Sequence, residues 1–106
     1  MIIIKGQIAC PGKSTGQLLY ITECSTSNGN DNIIIVVPSS NPIYTPALLT
    51  AAGLVICYGG VLAHLASIAR ELCLPCIVGC PEAEQWARIG AKAELDANQG
   101  VLKIFS

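Results

Sequence analysis

Two apolar runs in the middle of the chain constrain the fold more strongly than any other part of the sequence. Residues 33–37 are continuously β-branched and residues 54–58 are continuously hydrophobic, which is typical of strands buried on both faces. Helical patterns follow at residues 42–52 and 62–72, and a further strand is predicted at residues 75–78. This alternation of strands and helices favours an α/β layer over a sandwich of two sheets.

The two ends of the chain contribute shorter elements. Strands predicted at residues 2–8 and 17–22 flank a turn-rich link at residues 10–16, so they look like a hairpin and suggest a mixed sheet. The polar stretch at residues 25–32 is expected to be an exposed loop. The remaining predicted elements are a helix at residues 82–88 and strands at residues 92–95 and 101–105. We therefore predict a β/β/α-type domain in which helices pack on one mixed sheet.

The helix predicted at residues 42–52 carries opposing signals. Either Ser40 or Asn41 is placed to cap it, and Pro42 lies in the first turn, where its missing N–H is tolerated. Pro46 lies further inside the pattern, where proline removes a hydrogen bond and clashes with the preceding turn. The sequence therefore predicts a short or broken helix here.

The composition fits one soluble domain. The 106 residues are 52% hydrophobic and only 12% charged, against roughly 25% charged in an ordinary soluble domain. We therefore expect a single domain over residues 1–106, with an unusually buried sheet and some apolar surface that meets another protein. A net charge of −1 without a basic run argues against a nucleic-acid binder. No apolar run reaches the roughly 20 residues of a membrane span, and none resembles an export signal, so we expect a cytoplasmic protein.

His64 is the only histidine of the chain, and its surroundings suit phosphate chemistry. It follows Gly59 and Gly60 at the end of a predicted buried strand and opens a predicted helix. Glycine allows unusual backbone angles and a close approach to a bound group, and the first turn of a helix offers unpaired N–H groups. A neutral imidazole is a competent nucleophile near pH 7. An incidental or structural histidine is the alternative reading of the same residues.

The helical periodicity predicts two stripes on that helix. Leu62, Leu65, Ala69 and Leu72 form an apolar stripe that is expected to face the core. A second stripe of polar residues lies beside the first and consists of His64, Ser67 and Glu71. The predicted helix therefore presents His64 at the exposed amino end of a polar seam.

Six cysteines are present in a chain without an export signal, and we interpret them as buried thiols rather than a disulfide framework. Cys73, Cys76 and Cys80 nevertheless include a Cys-x-x-Cys pair, which is the spacing of a redox pair or half of a zinc site. No second pair is present to complete a tetrahedral site, so small thiols filling a core are the favoured interpretation and no metal is expected.

Residues 59–79 resemble the mobile, or swivelling, domain of the phosphoenolpyruvate (PEP)-utilising enzymes, as in PEP synthase, pyruvate phosphate dikinase and rifampin phosphotransferase. The family pattern reads roughly Gly-Gly-x-x-Ser/Thr/Cys-His-x-Ala-Ile-x-Ala-Arg-Glu-x-Gly-Ile-Pro-Ala-Val-Val-Gly. Further similarities lie in residues 5–16, in the Asn41-Pro42 and Thr45-Pro46 segments, at residues 51–55 and in residues 93–104.

The resemblance implies a swivelling β/β/α domain and a stand-alone phosphohistidine carrier that is not active alone. His64 matches the phosphorylated histidine, and Gly59 and Gly60 match the glycines that shape its approach. Arg70 and Glu71 match the family's Ala-Arg-Glu segment, where an ion pair is expected to fix the helix. Ser67 lies beside the histidine. The resemblance further implies an ATP-grasp or PEP-synthase-like partner, with Mg²⁺ and ATP (or PEP) bound there and no cofactor bound by this chain; self-association is left open.

Four positions depart from the family pattern. Ala63 stands where a hydroxyl or thiol residue precedes the histidine, and Leu65 replaces a small residue. The other two departures are Ser67, in place of an aliphatic residue, and Cys73, in place of glycine. These changes support a rival interpretation, a catalytically silent swivelling domain that acts as a binding or regulatory module. The small subunit of an aconitase-like dehydratase, which also uses a swivelling domain, is the lower-ranked alternative.

Overall fold

The computed structural model of the chain describes residues 2–21, 33–60 and 62–105. These residues form one mixed sheet with helices packed on it. The strands are β1 (Ile2–Lys5), β2 (Gln7–Cys10), β3 (Lys13–Tyr20), β4 (Ile33–Ser39), β5 (Gly53–Tyr58), β6 (Cys76–Val78), β7 (Lys92–Asp96) and β8 (Val101–Phe105). The helices are α1 (Thr45–Leu48), α2 (His64–Leu72) and α3 (Ala83–Arg88), and a 3₁₀ turn at Pro42–Tyr44 precedes α1. The predicted α/β class is confirmed.

The strand order is β1-β8-β7-β3-β4-β5-β6-β2. Strands β3, β4, β5 and β6 run parallel to one another. All other neighbouring pairs, including β3 with β7 and β6 with β2, are antiparallel. Strands β1 and β2 lie at opposite ends of this order, yet Gly6 alone separates them in the chain. The sheet must therefore curl until its two ends meet, and the Gly6 N–H donates to the Gly100 carbonyl over 2.8 Å at that point.

Each face of the sheet carries its own core. The α2 face buries Ile35, Val37, Leu54 and Ile56 beneath α1 and α2, and the α3 face buries alternate residues of the same strands beneath α3. Strands β4 and β5 are thus buried on both sides, as their continuous apolar runs predicted. Their parallel pairing brings their carboxyl ends side by side and points both at the start of α2.

The predicted hairpin near the N-terminus is wrong. Strand β2 pairs with β6, and β3 pairs with β4 and β7. The link between β2 and β3 contacts the residues that follow β7. The Gly12 N–H donates to Asn98 Oδ1 over 3.1 Å, and the Gly12 carbonyl accepts from the Ala97 N–H over 2.8 Å. These contacts hold the link against the turn after β7 and direct the two strands apart. The loop predicted at residues 25–32 and the end of the second predicted strand lie outside the described residues.

The helices are shorter than the sequence predicted. The segment with Pro46 forms only a 3₁₀ turn and the four-residue α1, with the proline in its first turn. Helix α2 begins at His64, so Leu62 precedes it and is 89% exposed, and Leu72 is 43% exposed at its end. These two residues were wrongly assigned to the core, because Leu62 lies before the helix and Leu72 is its last residue, where the side chain is no longer covered. The buried face of α2 consists of Leu65, Ala66 and Ala69.

No helix among the described residues is both long and apolar enough to cross a membrane.

Candidate functional site

His64 is the first residue of α2, and its side chain is exposed. Strand β5 leads to it through Gly59 and Gly60, which are also exposed, and Ala63 before it is extended, with φ −65° and ψ 156°. Neither glycine has a positive φ. A Cβ at Gly59 would lie 3.2 Å from Ile56 Cγ2, whereas a Cβ at Gly60 would meet nothing within 4 Å. The glycines therefore give close packing and open space beside the site rather than an unusual backbone conformation.

The first turn of α2 is capped by Ser40, the residue that follows β4. Ala63 has no side-chain oxygen with which to cap the helix, and the Leu65 N–H donates instead to Ser40 Oγ over 2.8 Å. Asn41, the neighbour of Ser40, caps the 3₁₀ turn that follows it, because its Oδ1 accepts the Ile43 N–H over 3.1 Å. Of the two residues that the sequence offered as caps for the first helix, Asn41 caps the 3₁₀ turn and neither caps α1, whose N-cap is Tyr44 without a side-chain hydrogen bond. Local capping rules cannot assign Ser40 to α2, because 25 residues separate it from Leu65.

Arg70 ties α2 to the edge of the sheet. Its Nη1 donates to the Ala9 carbonyl of β2 over 3.3 Å, and its Nη2 donates to Ser67 Oγ over 3.1 Å. These partners differ from the ion pair with Glu71 that the resemblance implied. Glu71 is exposed, two turns along α2 from the histidine, and Ser67 is half-buried one turn along. The structure therefore brings Ser67 and Arg70 together and joins both to the edge strand.

The cysteines are mostly core residues. Cys57, Cys76 and Cys80 are fully buried, and burial raises the pKa of their thiols to about 11, 12 and 12 respectively. Cys10, which lies opposite Cys76 across the β2–β6 pair, also has a pKa raised by burial. Because the thiolate is the reactive and metal-binding form, these groups are poorly suited to redox or zinc chemistry. No cluster of three or more metal-ligating residues occurs in the part of the chain that the structure describes.

A shallow recess of about 370 Å³ adjoins the end of β5. It is lined by Tyr58, Pro81, Glu82, Glu84 and Gln85. Its two carboxylates repel an anion, so this recess is not suited to hold phosphate. The start of α2 is better suited to phosphate, because the Ser40 hydroxyl lies there and the Arg70 guanidinium reaches Ser67, one turn along the helix from His64.

A curled mixed sheet with an exposed histidine opening a helix after parallel strands defines a swivelling α/β domain. The sequence profile of the PEP-utilising enzyme mobile domain matches residues 29–100, and the chain belongs to that family.

The chain is similar to one segment of much longer enzymes. It is 33% identical over 102 residues to the phosphoenolpyruvate synthase of Pyrococcus furiosus, a match that covers 95% of this chain and 12% of that protein. It is 30% identical over 102 residues to the rifampicin phosphotransferase of Bacillus subtilis, covering 96% of this chain and 12% of that protein. The chain therefore spans about an eighth of the length of these relatives.

Two solved structures share the fold. Aconitase X of Thermococcus kodakaraensis has a TM-score of 0.69 at 13% identity, with all of both chains covered. The N-terminal domain of Enzyme 1 - Nitrogen has a TM-score of 0.58 at 18% identity, covering 74% of this chain and 33% of that one. These likenesses confirm the predicted swivelling architecture. The aconitase-like alternative shares this architecture, whereas the family match is to the PEP-utilising enzymes.

Proposed function

We propose that the chain is a phosphohistidine carrier domain, in which His64 accepts a phosphoryl group from a partner protein and passes it to an acceptor. The observation that carries the proposal is the exposed position of His64 at the start of α2, in a chain of the PEP-utilising mobile domain family. The carrier is proposed to be a single domain over residues 1–106 that has no turnover without its partner.

The chemistry requires an unprotonated ring nitrogen. That nitrogen attacks phosphorus, a P–N bond forms, and the P–O bond to the leaving group breaks, which releases ADP when ATP is the donor or enolpyruvate when PEP is the donor. In the second step an oxygen of the acceptor attacks phosphorus and the P–N bond breaks, which restores the free imidazole.

The residues around His64 are proposed to guide this transfer. Gly59 and Gly60 leave the approach to the imidazole open, and Ser67 and Arg70 hold the following turns of α2 against the sheet edge. Glu71 is exposed on the same side of the helix, where it is available to a docking protein. None of these five residues is proposed to bind a cofactor.

The donor site is proposed to lie on another protein. Phosphoryl transfer needs charge neutralisation by metal and basic groups, and the relatives are long enough to supply such domains within one chain. We propose an ATP-grasp or PEP-synthase-like partner that binds Mg²⁺ and ATP or PEP.

One observation favours the second candidate function, a silent binding or regulatory module. Ala63 removes the hydroxyl or thiol group that precedes the histidine in the family pattern. The change at Leu65 weighs less, because that side chain is fully buried in the core of the α2 face and lies away from the imidazole's open approach.

The two candidates are separated by labelling. Wild type and His64→Ala would each be incubated with a PEP-synthase-type partner and either γ-labelled ATP or labelled PEP, and acid-labile, base-stable phosphate would be counted. We expect one phosphoryl group per wild-type chain and none on His64→Ala, with Cys73→Ser labelled like wild type. Equal labelling of wild type and His64→Ala would reject the carrier. An unlabelled wild type that still binds the partner would support the silent module.

A further inference from the structure

The helix that carries His64 lacks a cap of its own. Helices usually begin after a serine, threonine, aspartate or asparagine, whose side-chain oxygen accepts an N–H of the first turn. Ala63 occupies that place in α2 and provides no such oxygen. Ser40 Oγ accepts the Leu65 N–H over 2.8 Å instead. A hydroxyl from elsewhere in the chain therefore satisfies an N–H group of the residue next to His64.

The sheet explains why Ser40 reaches this point. Strands β4 and β5 are parallel neighbours, with Ser39 in register with Tyr58 at their carboxyl ends. Ser40 is the first residue after β4, and the chain after β5 turns through Gly59 and Gly60 into α2. Ser40 is half-buried and directly follows β4, so the sheet places its hydroxyl at the start of α2.

We infer that Ser40 is the positioning residue for His64, in place of the hydroxyl that is missing at Ala63. The inference rests on the proposed phosphohistidine function. A serine hydroxyl has one proton to donate and two lone pairs with which to accept. Its recorded bond uses one lone pair, so its proton remains for a second partner. Ser40 thus fixes the first turn of α2, and its proton serves the phosphoryl group on the adjacent His64.

The expected effect follows from the kind of bond that is lost. A hydrogen bond to a charged group contributes more than one between neutral groups. Ser40→Ala should therefore slow phosphorylation of His64 by about tenfold or more and should also accelerate spontaneous hydrolysis of the phosphohistidine. Ser40→Thr keeps the hydroxyl and should retain most of the rate. Ser39→Ala is the matched control, because it removes the exposed hydroxyl of the preceding residue.

A second variant distinguishes a missing hydroxyl from a disturbed fold. Ala63→Ser in the Ser40→Ala background places a hydroxyl at the ordinary capping position, and it should restore a substantial part of the rate. The melting temperature of each variant would be measured beside the transfer rate. A purely structural role would lower the melting temperature of Ser40→Ala without changing the hydrolysis rate of phosphohistidine in the folded protein.

The outcomes separate this inference from the proposed function. If wild type takes up no phosphate, the proposed function fails. If wild type and Ser40→Ala are phosphorylated and hydrolysed at equal rates, the function stands and the role of Ser40 is overturned. Equal slowing in Ser40→Ala and Ser40→Thr also overturns it, because the hydroxyl would then be irrelevant. Slowing in Ser40→Ala with retention in Ser40→Thr and rescue by Ala63→Ser supports it.

Discussion

Helices α2 and α3 lie on opposite faces of one sheet, but their amino ends are built differently. The chain turns before α3, so the Ala83 N–H donates to the Cys80 carbonyl and the Glu84 N–H donates to the Pro81 carbonyl. The chain also turns before α2, where the Ala63 N–H donates to the Gly60 carbonyl over 3.0 Å, but Ala63 itself is extended and the Leu65 N–H donates to Ser40 on another segment. Preceding backbone therefore accepts the N–H groups of the first two residues of α3, whereas a distant serine accepts that of Leu65 in α2, and the first residue of α2 is an exposed histidine. Of these two helices, α2 is the one that presents a histidine to solvent at its first residue.

The buried faces of the two helices differ as well. Helix α2 buries Leu65 together with two alanines, whereas the fully buried residues of α3 are Ala83 and Ala87. Each face also contains two buried thiols, Cys10 and Cys76 on the α2 face and Cys57 and Cys80 on the α3 face. The helices therefore differ in the side chains that they bury themselves, a large aliphatic residue in α2 and only alanines in α3.

The largest effect should appear at alkaline pH and should follow the buried thiols of the two faces. Burial raises the pKa of Cys57 to about 11 and those of Cys76 and Cys80 to about 12, from an ordinary value of 9.0. The unfolded chain therefore loses these protons first. The stabilisation is complete below about pH 9, declines as the pH rises towards the folded-state values, and is exhausted above them. Between pH 8 and 10 each of these three thiols should lose stabilisation on the order of 1 kcal/mol, together roughly 4 kcal/mol, and Cys10, whose pKa is also raised by burial, should add to the loss.

Urea unfolding under reducing conditions at pH 8 and pH 10 would measure this loss. Cys57→Ala/Cys80→Ala should remove about twice as much of this loss as Cys76→Ala, while Cys10 titrates in both variants. Lysines and tyrosines titrate in every variant, so differences between variants isolate the thiols. The same pH dependence in all of them would contradict the assignment of protonated thiols to the two cores.

The next largest effect should come from making α2 resemble α3. Leu65→Ala gives α2 a buried face of alanines only and leaves a cavity among the fully buried residues of the α2 face. Such truncations typically cost about 2–5 kcal/mol, and we expect about 3 kcal/mol by denaturant unfolding. Leu62→Ala is the matched control, because Leu62 is 89% exposed and should change stability by less than about 0.5 kcal/mol. Comparable losses from both variants would contradict the packing described for α2.

The sequence was sufficient for the parts of the molecule whose patterns are local. Continuous apolar runs predicted β4 and β5 because both faces of a central strand are buried. The strand predicted at residues 101–105 is β8 with the same bounds. The motif around His64 identified the family, because its spacing of glycines, histidine and arginine is specific.

The rest depended on partners that are distant in the chain. The pairing of β2 with β6 and the cap from Ser40 to Leu65 join segments whose local sequence carries no mark of one another. The core assignments of Leu62 and Leu72 failed for a different reason, since periodicity shows neither where the helix begins nor how far the core covers its last turn. The sequence therefore identified His64 as a candidate site residue, but it could not predict that Ser40 caps the helix that begins at His64.

The smallest predicted effect concerns the carboxyl ends of the same two helices, which share one hydrogen-bond pattern. The Leu74 N–H donates to the Ala69 carbonyl over 2.8 Å, and the Ala91 N–H donates to the Trp86 carbonyl over 3.1 Å. Each pattern encloses a left-handed residue, which is Gly90 with φ 67° after α3 but Cys73 with φ 55° after α2. A left-handed conformation costs a residue with a Cβ roughly 1–2 kcal/mol, and glycine's greater freedom in the unfolded chain offsets part of the gain. Cys73→Gly should therefore stabilise the protein by about 0.5–1 kcal/mol in urea unfolding. Cys73→Ala is the matched control, because it removes the thiol and keeps the Cβ. An equal gain from Cys73→Ala would mean that the thiol, and not the backbone, disfavours this end of α2.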